Sequence, residues 1–180
     1  MFFSKARKRK RVGDAVLAEV QPMMTLIERN TGKKISVLKD DNYFLGFITG
    51  MVALTMRRAD QNLTIEDKGT ILQLVIDQIY GDCVIVPKRL GDLLNAIPQK
   101  DEAFFKGFEC AGKVNILFYG QHKLHDDPDY KEALAIVRSG VGHSLSLGDP
   151  GSSEDTQVAT LLMNQYFLQP IFDKLGRSTP

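Results

Sequence analysis

The stretch NYFLGFITGMVALTM, residues 42–56, runs for fifteen positions without a charged side chain. Its apolar residues occupy nearly every face of a helix instead of alternating, the mark of a buried helix and not of a half-exposed strand. Asp40 or Asp41 stands before it as an N-cap, and Arg57 and Arg58 follow. Acid before and base after is the order the helix dipole favours. A bilayer crossing needs ~18–20 apolar residues, so this run predicts the central helix of a water-excluding core. Gly46 and Gly50 lie on one side of it and let another helix approach closely. They are the predicted helix-contact face, with a second copy of the chain as one candidate occupant.

Helical spacing continues in both directions. Val16, Leu17, Val20, Met24 and Ile27 predict a helix over about 12–30, ended by Gly32 and kinked or broken at Pro22. Beyond the turn at 60–64, Thr64 and Asp67 have the spacing of a capping box, with Asp in place of the usual Glu or Gln. The helix that follows is expected to bury Ile65, Leu72, Val75, Ile76 and Ile79 and to stop at Gly81. Residues 83–86, Cys-Val-Ile-Val, read as extended, and 87–97 as a helix that opens on Pro87. A helix from about Asp101 buries Phe104, Phe105, Phe108 and Ala111, although its continuation over 114–119 reads almost equally well as a strand. Further helices are expected over 127–139 and 154–175, the last bent near Phe167 by Pro170, with a Gly/Ser-rich loop over 140–153. The fold class is therefore all-α, a single globular bundle of about seven helices around 42–56. If 83–86 pairs with 114–119, the bundle gains one minor two-stranded ribbon.

Composition agrees with a folded core. With 43% hydrophobic and 25% charged residues among 180, the chain is neither disordered nor a disulfide scaffold. Only Cys83 and Cys110 occur, far apart and without His or Cys beside them, which predicts buried free thiols in a reducing, cytoplasmic setting. No interdomain linker interrupts 12–180, so one helical domain is expected there.

The charge is unevenly placed. Six of the 23 basic residues fall within 1–11 and none of the 22 acids, leaving 17 basic against 22 acidic groups, a balance of −5, elsewhere. Residues 1–11 are therefore expected to form a flexible basic tail, because like charges repel and little apolar area is present. Lys5, Arg7, Lys8, Arg9, Lys10 and Arg11 are the predicted anionic-surface contacts, with Phe2 and Phe3 able to insert among lipid headgroups. Nucleic-acid phosphates are the other ligand for such charges, ranked behind the membrane.

Other constellations fall short of chemistry. His122 and His125, with Asp126, form the best metal candidate, since imidazoles three apart share one side of a helix end. Gly142-His-Ser-Leu-Ser146 lacks the second glycine of a nucleophile elbow, and no parallel-sheet pattern surrounds Ser144. Asp60-Gln-Asn-Leu-Thr64 opens like a calcium loop, but Ile65 and Ile71 stand where Gly and Glu are required. Glu109, set among aromatics, is expected to face solvent. With no phosphate-cradling glycine loop, dinucleotide fingerprint or C-x-x-C pair, no cofactor is expected.

A repeat-like echo joins Gly46-Phe-x-x-Gly50-x-Val52 to Gly107-Phe-x-x-x-Gly112-x-Val114, each followed by a polar turn and an amphipathic helix. Over the Ala59-Asp60…Glu66 turn and its flanking helices alone, the chain is similar to bacterial tellurite-resistance TerB-like helical domains.

Apolar residues used for packing, without a catalytic set, predict a non-enzymatic interaction or adaptor protein that binds protein partners, its own copy among them. The alternative is a peripheral membrane protein held at the inner face of the membrane by residues 2–11. A small metal-dependent enzyme or metal-binding protein using His122 and His125 comes third.

Overall fold

Asp41 accepts the backbone N–H of Phe44 at 2.8 Å and so starts α2 (Asn42–Ala59). The computed structural model describes residues 2–81, 101–119, 126–139 and 153–175, and among these no strand occurs. The remaining elements are α1 (Phe2–Thr31), a short 3-10 turn (Ile35–Leu38), α3 (Ile65–Tyr80), α4 (Glu102–Tyr119), α5 (Pro128–Arg138), α6 (Glu154–Met163) and α7 (Gln169–Leu175). A π-helical turn (Asn164–Leu168) joins α6 to α7 without a break, so the described residues form six helical rods. The all-α class is thus established. Residues 83–86 and 87–97 lie outside the described residues. Residues 114–119 belong to α4, so of the two readings of that stretch the helical one holds and it adds no ribbon strand.

The chain divides into two compact units, 1–112 with 175–180, and 113–174. The boundary falls inside α4, beside Gly112, where no Pro- or Ser-rich stretch marks it in the sequence.

In the first unit α2 is the core. Phe44, Leu45, Phe47, Ile48 and Met51 are all but completely buried, and each contributes about 1.5–3 kcal/mol of burial. Val12, Val16, Val20 and Ile27 of α1 and Ile71, Val75 and Ile76 of α3 are buried with them. Pro22 does not break α1. It is exposed, as is Ala18, whose carbonyl loses its intrahelical partner on the solvent side, where an unpaired oxygen costs least.

The Gly46/Gly50 face is filled from within the chain. A Cβ at Gly46 would lie 2.0 Å from the carbonyl oxygen of Phe104, and one at Gly50 would lie 2.7 Å from Cβ of Ala111. The close approach at this face, expected of another helix, is made by α4 of the same chain. Asp101 fixes the crossing: one carboxylate oxygen caps the N–H of Phe104 at 2.8 Å, the other accepts from the Asn42 amide at 2.6 Å.

In the second unit, Asp127 caps α5 through the N–H of Asp129 at 2.9 Å, with Pro128 in the first turn. Tyr130 donates to Asp155 at 2.7 Å and Arg138 pairs with Glu154 at 3.0 Å, joining α5 to α6. The distortion expected near Phe167 is the π turn. It lies just before Pro170, which has no N–H to offer and whose ring crowds the carbonyl of Tyr166.

Candidate interaction groove

The basic segment is ordered. Residues 2–11 are the first third of α1, so the flexible tail expected at 1–11 is corrected. What the sequence hid was where its charges go. Lys8 meets Asp60 at 2.9 Å, and Arg9 meets Asp67 at 2.6 Å and Glu66 at 3.1 Å. Lys10 pairs with Asp14 at 3.0 Å, and Arg11 lies 4.0 Å from Asp60. The repulsion that disorders an isolated basic run is thus offset by the acids of the α2–α3 turn and the first turn of α3. Arg9 lies one helical turn before Val12 and two before Val16 on the buried stripe, which directs it inward to Asp67. Lys5 and Arg7 are exposed, and among the described residues neither has an ion-pair partner.

Asp67 carries two loads. It completes the Thr64 capping box, accepting the Thr64 hydroxyl at 2.8 Å and returning its own N–H to Thr64 at 3.1 Å. The same carboxylate receives Arg9. The Arg9 hydrogen bond first, then those from Thr64, hold its pKa down at about 2. Asp60 is likewise held below its ordinary value, chiefly by Lys8 and then by the backbone N–H of Asn62.

Between α1 and α3, beyond this ion-pair cluster, lies an open groove of about 680 Å³. Ala6, Gly13 and Leu17 of α1 and Leu74 and Val75 of α3 give it an apolar floor. Lys5, Arg9 and Glu66 lie toward one end, Lys10 and Asp14 form an ion pair farther along the α1 wall, and Gln78 lies toward the other end. Leu74 is 49% exposed in it, a large apolar side chain left half in water.

The other expected sites are placed as follows. His122 and His125 lie outside the described residues, as do Ser144 and Cys83. Asp126 is exposed and 3.6 Å from Lys131. Among the described residues no group of three or more His, Cys, Asp or Glu has the spacing to hold a metal ion. Glu109 is exposed and Cys110 is a buried free thiol. Tyr43 reaches Cys110, and burial first, then that contact, raise its hydroxyl pKa well above the ordinary value. Ile65, expected inside, is 90% exposed, because it is the first residue of α3, ahead of the packed turns. Phe108 is 38% exposed, while Phe104 and Ala111 are buried.

Sequence spacing missed a polar cluster in the second unit. Lys113 lies 2.6 Å from Asp129 and over the Tyr166 ring at 5.0 Å from its centroid, and the Tyr166 hydroxyl donates to Asp129. These groups satisfy one another, and their partners are too distant in sequence for any motif to announce them.

Fold and groove together define an all-α chain with an apolar cleft, cationic at one end. The chain has no significant match among protein-family models, curated proteins or solved structures. No described helix is long and apolar enough to cross a membrane.

Proposed function

We propose that this protein is a non-enzymatic helical interaction module that binds a protein partner in the groove between α1 and α3. The observation that supports this is Leu74, left half exposed in the apolar floor of a groove whose lining residue Lys5 has no partner among the described residues. Grooves of a few hundred cubic ångströms lined this way are the usual seats of ligands and partner segments. The test is a photo-crosslinking residue placed at Leu74 in cells, against a control at exposed Asp173. A discrete protein adduct at 74 and not at 173 is expected. Equal labelling at both positions, with a monomer in light scattering, overturns the proposal.

The membrane reading keeps one specific support: Arg7 and Arg11 are exposed on the outward side of α1. Under that reading, vesicles with anionic lipid bind the intact chain and lose it on Arg7→Glu/Arg11→Glu substitution. Unchanged binding by the double variant rules it out.

A further inference from the structure

We infer that the occupant of the α1/α3 groove is an amphipathic α-helix of about three turns with acidic residues at one end. This rests on the interaction reading above and adds the partner's chemistry.

Shape gives the first argument. The residues lining the groove run from Lys5 to Leu17 on α1 and from Glu66 to Gln78 on α3. Each span is twelve positions, or about 18 Å at ~1.5 Å per residue, and a partner helix of that length makes about three turns. On α3 the lining positions Glu66, Thr70, Leu74 and Gln78 recur every four residues, so they form a straight ridge. Across from them, Ala6 and Gly13 keep the α1 wall low, and a Cβ built on Gly13 would touch nothing within 4 Å. A long trough with small residues on one wall and a ridge on the other fits a cylinder better than a compact ligand.

Charge gives the second argument. Arg9 is shared by Asp67 and Glu66, and Lys10 is matched by Asp14. Lys5 remains uncompensated among the described residues, so that end of the groove carries surplus positive charge. Toward Leu17, Leu74 and Gln78 the lining charge is Asp14, one turn before Leu17, and it is matched by Lys10. A complementary helix is therefore acidic at one end and apolar along one seam.

The experiment is fluorescence anisotropy on the full chain with three probes. The first is a labelled helical peptide with a leucine seam and glutamates in its terminal turn. The second replaces those glutamates with lysines. The third is a vesicle containing phosphatidylserine. The acidic peptide is expected to bind at least about tenfold more tightly than the basic one, since repulsive charge at a rim discriminates strongly. Leu74→Glu should weaken the acidic peptide by about tenfold or more, and Lys5→Glu by roughly three- to fivefold with a reduced salt dependence. Both positions are exposed, so thermal midpoints within a few degrees of the parent confirm that the variants fold. Equal binding of the two peptides overturns the acidic assignment and leaves the interaction reading standing. No binding of either peptide, with a protein crosslink still formed at Leu74, overturns the helical occupant alone. Vesicle binding that depends on Leu74, with neither peptide bound, overturns both.

Discussion

Gly46 and Gly107 cross reciprocally. A Cβ at Gly46 would strike the carbonyl oxygen of Phe104 at 2.0 Å, and one at Gly107 would strike that of Tyr43 at 2.0 Å. Phe104 is three positions before Gly107, and Tyr43 three before Gly46. Each glycine thus lies under the same relative carbonyl of the other helix, and the two echoing segments meet at equivalent positions.

The first prediction follows from that contact. Gly46→Ala and Gly107→Ala each force backbone apart and should cost about 1–3 kcal/mol, roughly 2–12 °C in the thermal midpoint. Gly69→Ala should act in the opposite direction. Gly69 is exposed in α3 with nothing near its Cβ position, so helix propensity alone should add about 0.5–1 kcal/mol. Calorimetry of the three variants checks both signs.

Asp67 predicts an acid limb. Its pKa is lowered from 3.8 to about 2 in the folded chain, so the stability it supplies is present above about pH 4 and lost as pH falls toward 2. Urea midpoints should therefore drop steeply over that window in the parent. In Asp67→Asn they should start lower at pH 7 and fall less. Parallel curves would mean that Asp67 does not carry the effect.

Tyr130 predicts an alkaline limb. Burial first, then the hydrogen bond to Asp155, raise its pKa from 10.0 to about 12. The neutral hydroxyl stabilises the fold below pH 10, and that contribution fades as pH rises through 12. Tyr130→Phe should cost roughly 0.5–1.5 kcal/mol at neutral pH and lose less between pH 10 and 12. Denaturant titrations of both chains at three alkaline pH values read the difference.

Pro22 predicts a gain. It is an exposed proline inside a continuous helix, so Pro22→Ala should raise stability by up to about 3 kcal/mol and slow amide exchange in the adjoining turns. A fall in stability would show that the ring itself packs.

The parts of this fold legible in sequence are those set by neighbours a few positions apart. Residues 42–56 lack charge and form the core helix; Thr64 and Asp67 have capping-box spacing and form one; Pro170 foretells distortion at Phe167. Arg9 shows the limit. Its partner Asp67 is 58 positions away, and no local pattern separates an arginine that meets a buried carboxylate from one in a solvated run. The groove was hidden for the same reason. Leu74 looks like any helix leucine until the course of α1 leaves it uncovered. Gly46 and Gly50 were readable as a contact strip, but not which helix fills it.

The π turn at Asn164–Leu168 changes how the end of the chain must be counted. Val158, Leu162 and Tyr166 are buried at a stride of four, and so are Phe167, Ile171 and Leu175, but the second series is one residue out of step with the first. The wider turn absorbs that extra residue and keeps both series inward. An insertion has in effect been stored inside a rod instead of in a loop. Anyone who walks this helix at a constant pitch will label its inner and outer residues wrongly for everything beyond Tyr166.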